Sequence, residues 1–206
     1  MEGLYRIGLN EDLRLEIPGA GRAKIRRPDD TVRYWSKTAL PWMSFGYETQ
    51  IPPIYTLAFY NAIANNGKMV RPIFTKEIMH NGKTVQSFST EVIRESICSE
   101  RTLNMIKDML LGVVEKGTGK AVHSDFVRIA GKTGTAENSH GRDHGLFVAY
   151  GPVDDPELVV VCIVEQGGFG SVAAGPIVYK AFEEFFQEKG YMPRPDKAAP
   201  KKDTIQ

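Results

Sequence analysis

Apolar positions recur at helical spacing in three well-bounded segments of the chain. Pro52-Pro53 opens the first helix, because a proline is tolerated in a first turn where its missing N–H has no partner. This helix ends at the stop signal Asn65-Asn66-Gly67. A second helix is predicted from Ser99 to Gly117, and a third over residues 173–188. The apolar side of the third is predicted to contain Ile177, Ala181, Phe182 and Phe185.

Short apolar runs between turn signals predict the strands. Residues 158–164 form a continuous apolar, largely β-branched run, which is typical of a central strand buried on both faces. Asp154-Asp155-Pro156 predicts a turn that joins this strand to one at 146–150 as an antiparallel hairpin. Asn81-Gly82 is a second hairpin signal. The other predicted strands are residues 13–17, 72–78, 84–88 and 126–129.

Composition narrows the class of protein without identifying it. The chain of 206 residues is 42% hydrophobic and 25% charged, which is ordinary for a globular protein. A net charge of +1 argues against a nucleic-acid partner, and the basic stretch at residues 22–27 is interpreted as a solvated loop. Two cysteines far apart in the sequence form no disulfide framework or metal pattern. No apolar run reaches the roughly 20 residues of a membrane span, and no signal peptide is recognised.

One strand-like segment carries unusual chemistry. Gly131-Lys132-Thr133-Gly134-Thr135 brackets a lysine and a threonine with glycines, which have no side chain to pack. Such a strand lets a ligand or another backbone approach closely, while the lysine supplies charge and the threonines supply hydroxyl donors for a carboxylate. An extended peptide can then lie along it as an added strand. A Gly-rich turn with exposed side chains is the competing interpretation for the triplet alone.

The surrounding sequence resembles penicillin-binding transpeptidases. Lys-Thr-Gly is one of three motifs of these proteins and of β-lactamases. Other segments resemble the family in the same order along the chain, over roughly residues 1–187. The resembling segments, including the one that contains the motif, are residues 44–48, 60–67, 113–121, 129–137, 147–157, 164–168 and 171–176.

The resemblance implies an α+β fold, part of the penicillin-binding protein and β-lactamase type, with an antiparallel sheet flanked by helices. Residues 1–187 would form the C-terminal portion of a transpeptidase domain. The rest, residues 188–206, is expected to be a disordered tail, because beyond Pro193 it is rich in Pro, Lys, Ala and Asp. Within the family the chain resembles class B enzymes. Residues 42–78 are similar to the division type and residues 144–176 to the elongation type, and division is favoured.

The family's reaction assigns roles to the motif. A serine attacks the D-Ala-D-Ala bond of a cell-wall stem peptide, and β-lactams trap the acyl-enzyme. Lys132 would be the catalytic residue beside that serine, and Lys132, Thr133, Gly134 and Thr135 would bind substrate. Thr133 and Thr135 would hold its terminal carboxylate, and the N–H of Thr135 would be one oxyanion donor. No metal and no other cofactor is expected. Implied partners are stem peptides, β-lactams and a membrane glycosyltransferase, with the domain on the extracytoplasmic side of the inner membrane.

Two motifs of the family do not occur in the sequence. No serine is followed three positions later by lysine, and no S-x-N occurs. The chain is therefore expected to lack a nucleophile, to be inactive alone and to be a fragment of the family's domain. The alternative interpretation of the chain is a non-catalytic β-lactam-sensing or scaffold domain of the same fold. A third interpretation is a hydrolase relative.

Three other groups of residues have plainer explanations. Gly117-Thr118-Gly119-Lys120 has the wrong spacing and no following Ser or Thr for a phosphate loop. His140, Asp143 and His144 suggest a metal, but they lie in a Gly-rich connector and are interpreted as a solvated loop. Glu137 and Glu165 are interpreted as surface charge.

Overall fold

The computed structural model describes residues 2–29 and 35–192. The chain divides into two compact units, Met1–Leu103 and Asn104–Gln206. In chain order, the first elements are α1 (Glu2–Arg6), β1 (Lys24–Ile25), α2 (Ala39–Met43), β2 (Thr49–Gln50), α3 (Pro53–Ala64), β3 (Met69–Val70), β4 (Glu77–His80), β5 (Lys83–Ser87) and β6 (Val92–Arg94). They are followed by α4 (Glu100–Glu115), a short 3-10 helix (Lys120–Val122), β7 (Ala130–Ala136), β8 (His144–Gly151), β9 (Leu158–Val164), α5 (Gly170–Ala173) and α6 (Gly175–Glu188).

The first unit is built on α3 and three small antiparallel pairs. β1 pairs with β2, β3 with β6, and β4 with β5. Tyr55 and Ala58 of α3 pack with Leu13 in a buried cluster. Every residue of the β4–β5 hairpin is exposed.

The second unit contains a three-stranded antiparallel sheet in the order β7-β8-β9. Its middle strand, β8, is buried along most of its length. One face of β8 presents Phe147 and Ala149 to the α6 side chains Val178, Phe182 and Phe186, and all five are buried. Because these are large apolar side chains removed from water, this layer is the main source of hydrophobic stabilisation in the unit.

The structure confirms most of the predicted elements. The helix opened by Pro52-Pro53 is α3, the hairpin at Asn81-Gly82 joins β4 to β5, and Asp154-Asp155-Pro156 lies between β8 and β9. The helix predicted after Ser99 is α4. The predicted α+β class with antiparallel sheets is observed.

Several local predictions were wrong. Residues 13–17 and 126–129 form no strand, and the strand predicted at 72–78 begins only at Glu77. The run at Leu158–Val164 is an edge strand of its sheet, and none of its residues is fully buried. The hydrophobicity of that run was a correct sign of a strand, but it did not determine the strand's place in the sheet.

The buried stripe of α6 overlaps the predicted one only in part. Phe182 is buried as predicted, together with Val178 and Phe186, whereas Ile177 is 53% exposed. Residues four apart lie on the same helix face, and both sets satisfy that spacing, so periodicity alone does not choose between them.

The predicted disordered tail falls mostly outside the described residues, which end at Met192. α6 continues to Glu188, one residue into the segment assigned to the tail. Among the described residues, no helix is both long and apolar enough to cross a membrane.

Candidate active site

The Lys-Thr-Gly motif lies on β7, an edge strand of the sheet. Lys132 is opposite Val148, and Thr133 is opposite Phe147 on β8. In the described part of the chain no strand pairs with the other side of β7. An edge strand leaves main-chain N–H and C=O groups available for an extended ligand.

Side chains alternate between the two faces of β7. Opposite residues on antiparallel strands share a face, so Thr133 and Thr135 lie on the Phe147 face, which packs on α6. Lys132 and Gly134 lie on the other face, with Val148 and Leu146. The structure therefore brings the four motif residues to one strand edge but distributes their side chains over both faces.

Gly131 is required by the closeness of β7 to β8. A Cβ at this position would be 2.6 Å from the carbonyl oxygen of Val148 and 2.9 Å from the Cβ of Ala149. Both contacts are shorter than any side chain tolerates, and one is with backbone. At Gly134 the nearest atom, the Cβ of Leu146, would be 3.3 Å away. Strand packing therefore explains why position 131 is a glycine, whereas a side chain at position 134 would have more space.

Lys132 has an exposed side chain at the strand edge. Its ammonium group donates a hydrogen bond of 2.7 Å to the carbonyl oxygen of Thr133. Because this bond uses a single donor of three, the ammonium retains capacity for a carboxylate or for a developing negative charge.

Thr133 is held by a residue outside the motif. The hydroxyl oxygens of Thr118 and Thr133 are 2.9 Å apart and share a hydrogen bond. Thr118 follows α4, in the turn before the 3-10 helix. Thr135 is exposed further along β7. Thr118 was not predicted as a site residue, although it lies within residues 113–121, which resemble the family.

A segment after β9 packs against the motif strand. A Cβ on Gly170 would lie 2.4 Å from the carbonyl oxygen of Gly134 and 2.1 Å from that of Leu146. Only a glycine allows this approach of backbone to backbone. Phe169 and Val172 flank Gly170 and are each 71% exposed. No sequence pattern indicated this contact of the glycine-rich segment with β7.

Tyr150 lies on the same face of the sheet as Lys132. It is opposite Ala130 and is fully buried. Its hydroxyl has no hydrogen-bond partner among the described residues. Burial, and secondarily the Asp108 carboxylate, raises the pKa of Tyr150 to about 12. The hydroxyl therefore stays neutral under physiological conditions.

The other candidate residues are not drawn into this site. Glu137 and Glu165 are exposed. The ring of His144 accepts a hydrogen bond at Nδ1 from the N–H of Gln166, at 3.1 Å. Among residues 2–29 and 35–192, no three His, Cys, Asp or Glu side chains are grouped as a metal site requires.

Comparison with known proteins identifies the family. The profile of the penicillin-binding protein transpeptidase domain matches residues 1–183. The chain is 32% identical to stage V sporulation protein D of Bacillus subtilis (strain 168) over 166 residues, covering 73% of this chain and 25% of the relative. It is 27% identical to the peptidoglycan D,D-transpeptidase MrdA of Acinetobacter baumannii over 193 residues, covering 83% of this chain and 28% of the relative. The chain thus spans about a quarter of the length of these relatives.

A solved structure shows the same fold. Penicillin-binding protein A of Mycobacterium tuberculosis, in its imipenem acyl-enzyme complex, matches with a TM-score of 0.74 and 21% identity. The match covers 90% of this chain and 41% of that one. The fold is therefore that of penicillin-binding transpeptidase domains.

The chain belongs to the penicillin-binding protein transpeptidase domain family, among its class B members.

Proposed function

We propose that this chain is the substrate-holding C-terminal part of a peptidoglycan D,D-transpeptidase domain, and that β7 is the strand on which the stem peptide and β-lactams bind. The observation that carries the proposal is the position of Gly131-Lys132-Thr133-Gly134-Thr135 on an open sheet edge. A peptide in extended conformation adds to such an edge through main-chain hydrogen bonds.

Each motif residue has a role along this edge. The Lys132 ammonium lies beside the reacting serine and lowers the energy of its alkoxide. Thr133 and Thr135 donate hydroxyl hydrogen bonds to the terminal carboxylate. The N–H of Thr135 stabilises the oxyanion, a contribution of about 3 kcal/mol in the transition state when the hole is complete.

The chain alone is inactive in this proposal. None of its serines begins an S-x-x-K sequence, and the sequence contains no S-x-N. Without the serine and its activating lysine there is no acyl transfer, because a serine hydroxyl is a weak nucleophile unless a neighbouring base removes its proton. The strand then binds ligand reversibly.

Labelling with a fluorescent penicillin tests the missing nucleophile. We expect no covalent label on the chain after denaturing gel electrophoresis, with a complete class B enzyme as the positive control. Stoichiometric labelling, mapped to any serine by mass spectrometry, would contradict the proposed inactivity.

Reversible binding is tested on the strand itself. In a 15N NMR titration with an N-acylated peptide ending in D-Ala-D-Ala, we expect shifts concentrated at residues 131–135. Lys132→Ala should weaken them, because the strand loses the positive charge that attracts the anionic peptide. Lys83→Ala is the matched control, since Lys83 is an exposed strand lysine on the separate β4–β5 hairpin. Absence of shifts at β7, or equal loss in both variants, would overturn the proposal.

The absence of S-x-x-K also favours one alternative function. A non-catalytic β-lactam-sensing or scaffold domain would use the same edge without acylation. Sequencing of the upstream DNA separates the two. An in-frame S-x-x-K, S-x-N and membrane segment support the transpeptidase, whereas a stop codon directly before Met1 supports the scaffold.

The finer assignments belong to the same proposal. The similarity of residues 42–78 to the division type favours a role in division over elongation, although residues 144–176 are similar to the elongation type. In the complete protein we expect an inner-membrane location with this domain on the extracytoplasmic side, and a membrane glycosyltransferase as partner.

A further inference from the structure

His144 is the first residue of β8, at the turn end of the β7–β8 hairpin that carries the motif. It is opposite Ala136, the last residue of β7. Its Nδ1 accepts the hydrogen bond from the Gln166 N–H at 3.1 Å. An imidazole nitrogen accepts a hydrogen bond only when it carries no proton, so this contact requires the neutral ring with its proton on Nε2.

Gln166 holds an unfavourable backbone conformation. Its φ is 54°, in the left-handed region that residues with a side chain rarely adopt. The hydrogen bond from its N–H to His144 helps to hold it there. Its side-chain amide lies beside Gly141, where a Cβ would be 2.8 Å from Oε1.

The segment that follows Gln166 reaches the motif strand. The N–H of Gly168 donates to the carbonyl oxygen of Asp143 at 2.8 Å. Gly170 then lies against the carbonyl oxygens of Gly134 and Leu146. Residues 166–170 therefore connect the hydrogen bond at His144 to the backbone beside Gly134.

We propose that His144 is a positioning residue for β7: its neutral imidazole fixes residues 166–170 against Gly134, and its protonation releases them. This rests on the proposed function of β7 as the substrate strand. When Nδ1 gains a proton it becomes a donor facing the Gln166 N–H, which is also a donor. The strained backbone of Gln166 then loses its hydrogen bond to His144, and the packing on the motif strand loosens.

Charged residues occur on each chain segment next to His144: the connector before it, the end of β7 and the end of β9. Arg142 and Asp143 precede it in the connector, Glu137 follows β7, and Glu165 follows β9. The guanidinium of Arg142 lies near Gly168, 3.1 Å from where a Cβ on that glycine would be. The direction of the change is set by the acceptor role of Nδ1.

The test follows amides by 15N NMR between pH 8 and 5, the range in which histidines titrate. In the unmodified chain we expect the Gln166, Gly134 and Thr135 amides to shift with the same midpoint as the His144 ring. Below that midpoint, hydrogen exchange of the Gln166 amide should accelerate about tenfold after correction for intrinsic rates, as expected for loss of one hydrogen bond.

Three variants separate this from a general effect of the side chain. His144→Asn keeps an acceptor but does not titrate, so it should retain the high-pH signals of Gly134 and Thr135 at every pH. His144→Leu should show the low-pH signals throughout. His140→Asn is the matched control, four residues earlier in the connector before β8, and should leave the profile unchanged.

The proposal is overturned if Gly134 and Thr135 do not follow His144, or if His144→Asn still titrates. The same samples with the D-Ala-D-Ala peptide give a second measurement. Affinity should fall several-fold from pH 8 to 5.5 in the unmodified chain but not in His144→Asn. If no peptide binds at any pH while the amides still titrate, the proposed function fails and the structural coupling stands.

Discussion

The hydroxyls of Thr118 and Thr133 share a hydrogen bond of 2.9 Å, which links the turn after α4 to the motif strand. Thr133 is thereby already partnered within the chain. A carboxylate that takes its hydroxyl must replace Thr118 or add to it.

This relationship predicts opposite effects for two similar substitutions. Thr133→Val should weaken binding of a D-Ala-D-Ala peptide by about tenfold, because a hydroxyl donor to a carboxylate is lost. Thr118→Val should leave affinity unchanged or improve it, since it removes a competitor. NMR titrations of both variants measure the difference, and a tenfold loss in Thr118→Val would contradict it.

The two glycines of the motif should respond differently to alanine. Gly131→Ala places a Cβ 2.6 Å from the Val148 carbonyl oxygen, so β7 must move, at a cost of about 1–3 kcal/mol. Gly134→Ala meets the Leu146 side chain, whose Cβ would be 3.3 Å away, and should cost less than about 1 kcal/mol. Urea unfolding of both variants, with unchanged m-values, checks this order. Equal destabilisation would show that the close approach at Gly131 is not maintained.

Tyr150→Phe should be neutral or stabilising. Its buried hydroxyl lacks a partner among the described residues, and an unsatisfied buried polar group costs about 1–3 kcal/mol. Thermal unfolding at pH 7 measures the change. A clear loss of stability would reveal a hydrogen bond to that hydroxyl.

The same tyrosine predicts a loss of stability at high pH. Its folded pKa is raised from 10.0 to about 12, so between those values the unfolded chain releases a proton that the folded chain keeps. Stability from this group is complete below pH 10 and declines as pH rises from 10 towards 12. Tyr150→Phe should remove this component of the decline, which denaturant midpoints at pH 9 and 11 would show.

Glu157 predicts a change on the acid side. Hydrogen bonds from Lys189 and then Tyr191 hold its pKa below the usual value of 4.5. A carboxylate with a lowered pKa contributes stability above its unfolded pKa, and that contribution is lost as pH falls below it. Glu157→Gln should flatten the decline in melting temperature between pH 5 and 3, relative to the unmodified chain. An unchanged slope would mean that these contacts do not persist in solution.

The sequence was informative where local signals determine structure. Pro52-Pro53 and Asn81-Gly82 set the start of α3 and the β4–β5 turn, because proline and glycine restrict the backbone at those positions themselves. The motif strand was found from the same kind of local signal. By contrast, the edge position of β9 depends on which strands lie beside it, and no pattern within seven residues contains that information.

The site was only partly predictable for a similar reason. Lys132, Thr133, Gly134 and Thr135 stand together in the sequence, so a motif identifies them. Thr118 and Gly170 reach β7 from distant segments. Their participation depends on tertiary packing, which periodicity and turn signals do not predict.

The open edge of β9 has a practical consequence for handling the chain. Its sequence, LVVVCIV, contains no charge, proline or glycine, which are the residues that normally prevent strands of separate molecules from joining. Concentrated samples should therefore nucleate fibrils along this strand, with Cys162 adding a route to oxidative cross-links. Storage with a reductant, and a charged residue in place of the 37% exposed Ile163, should extend the shelf life of the material.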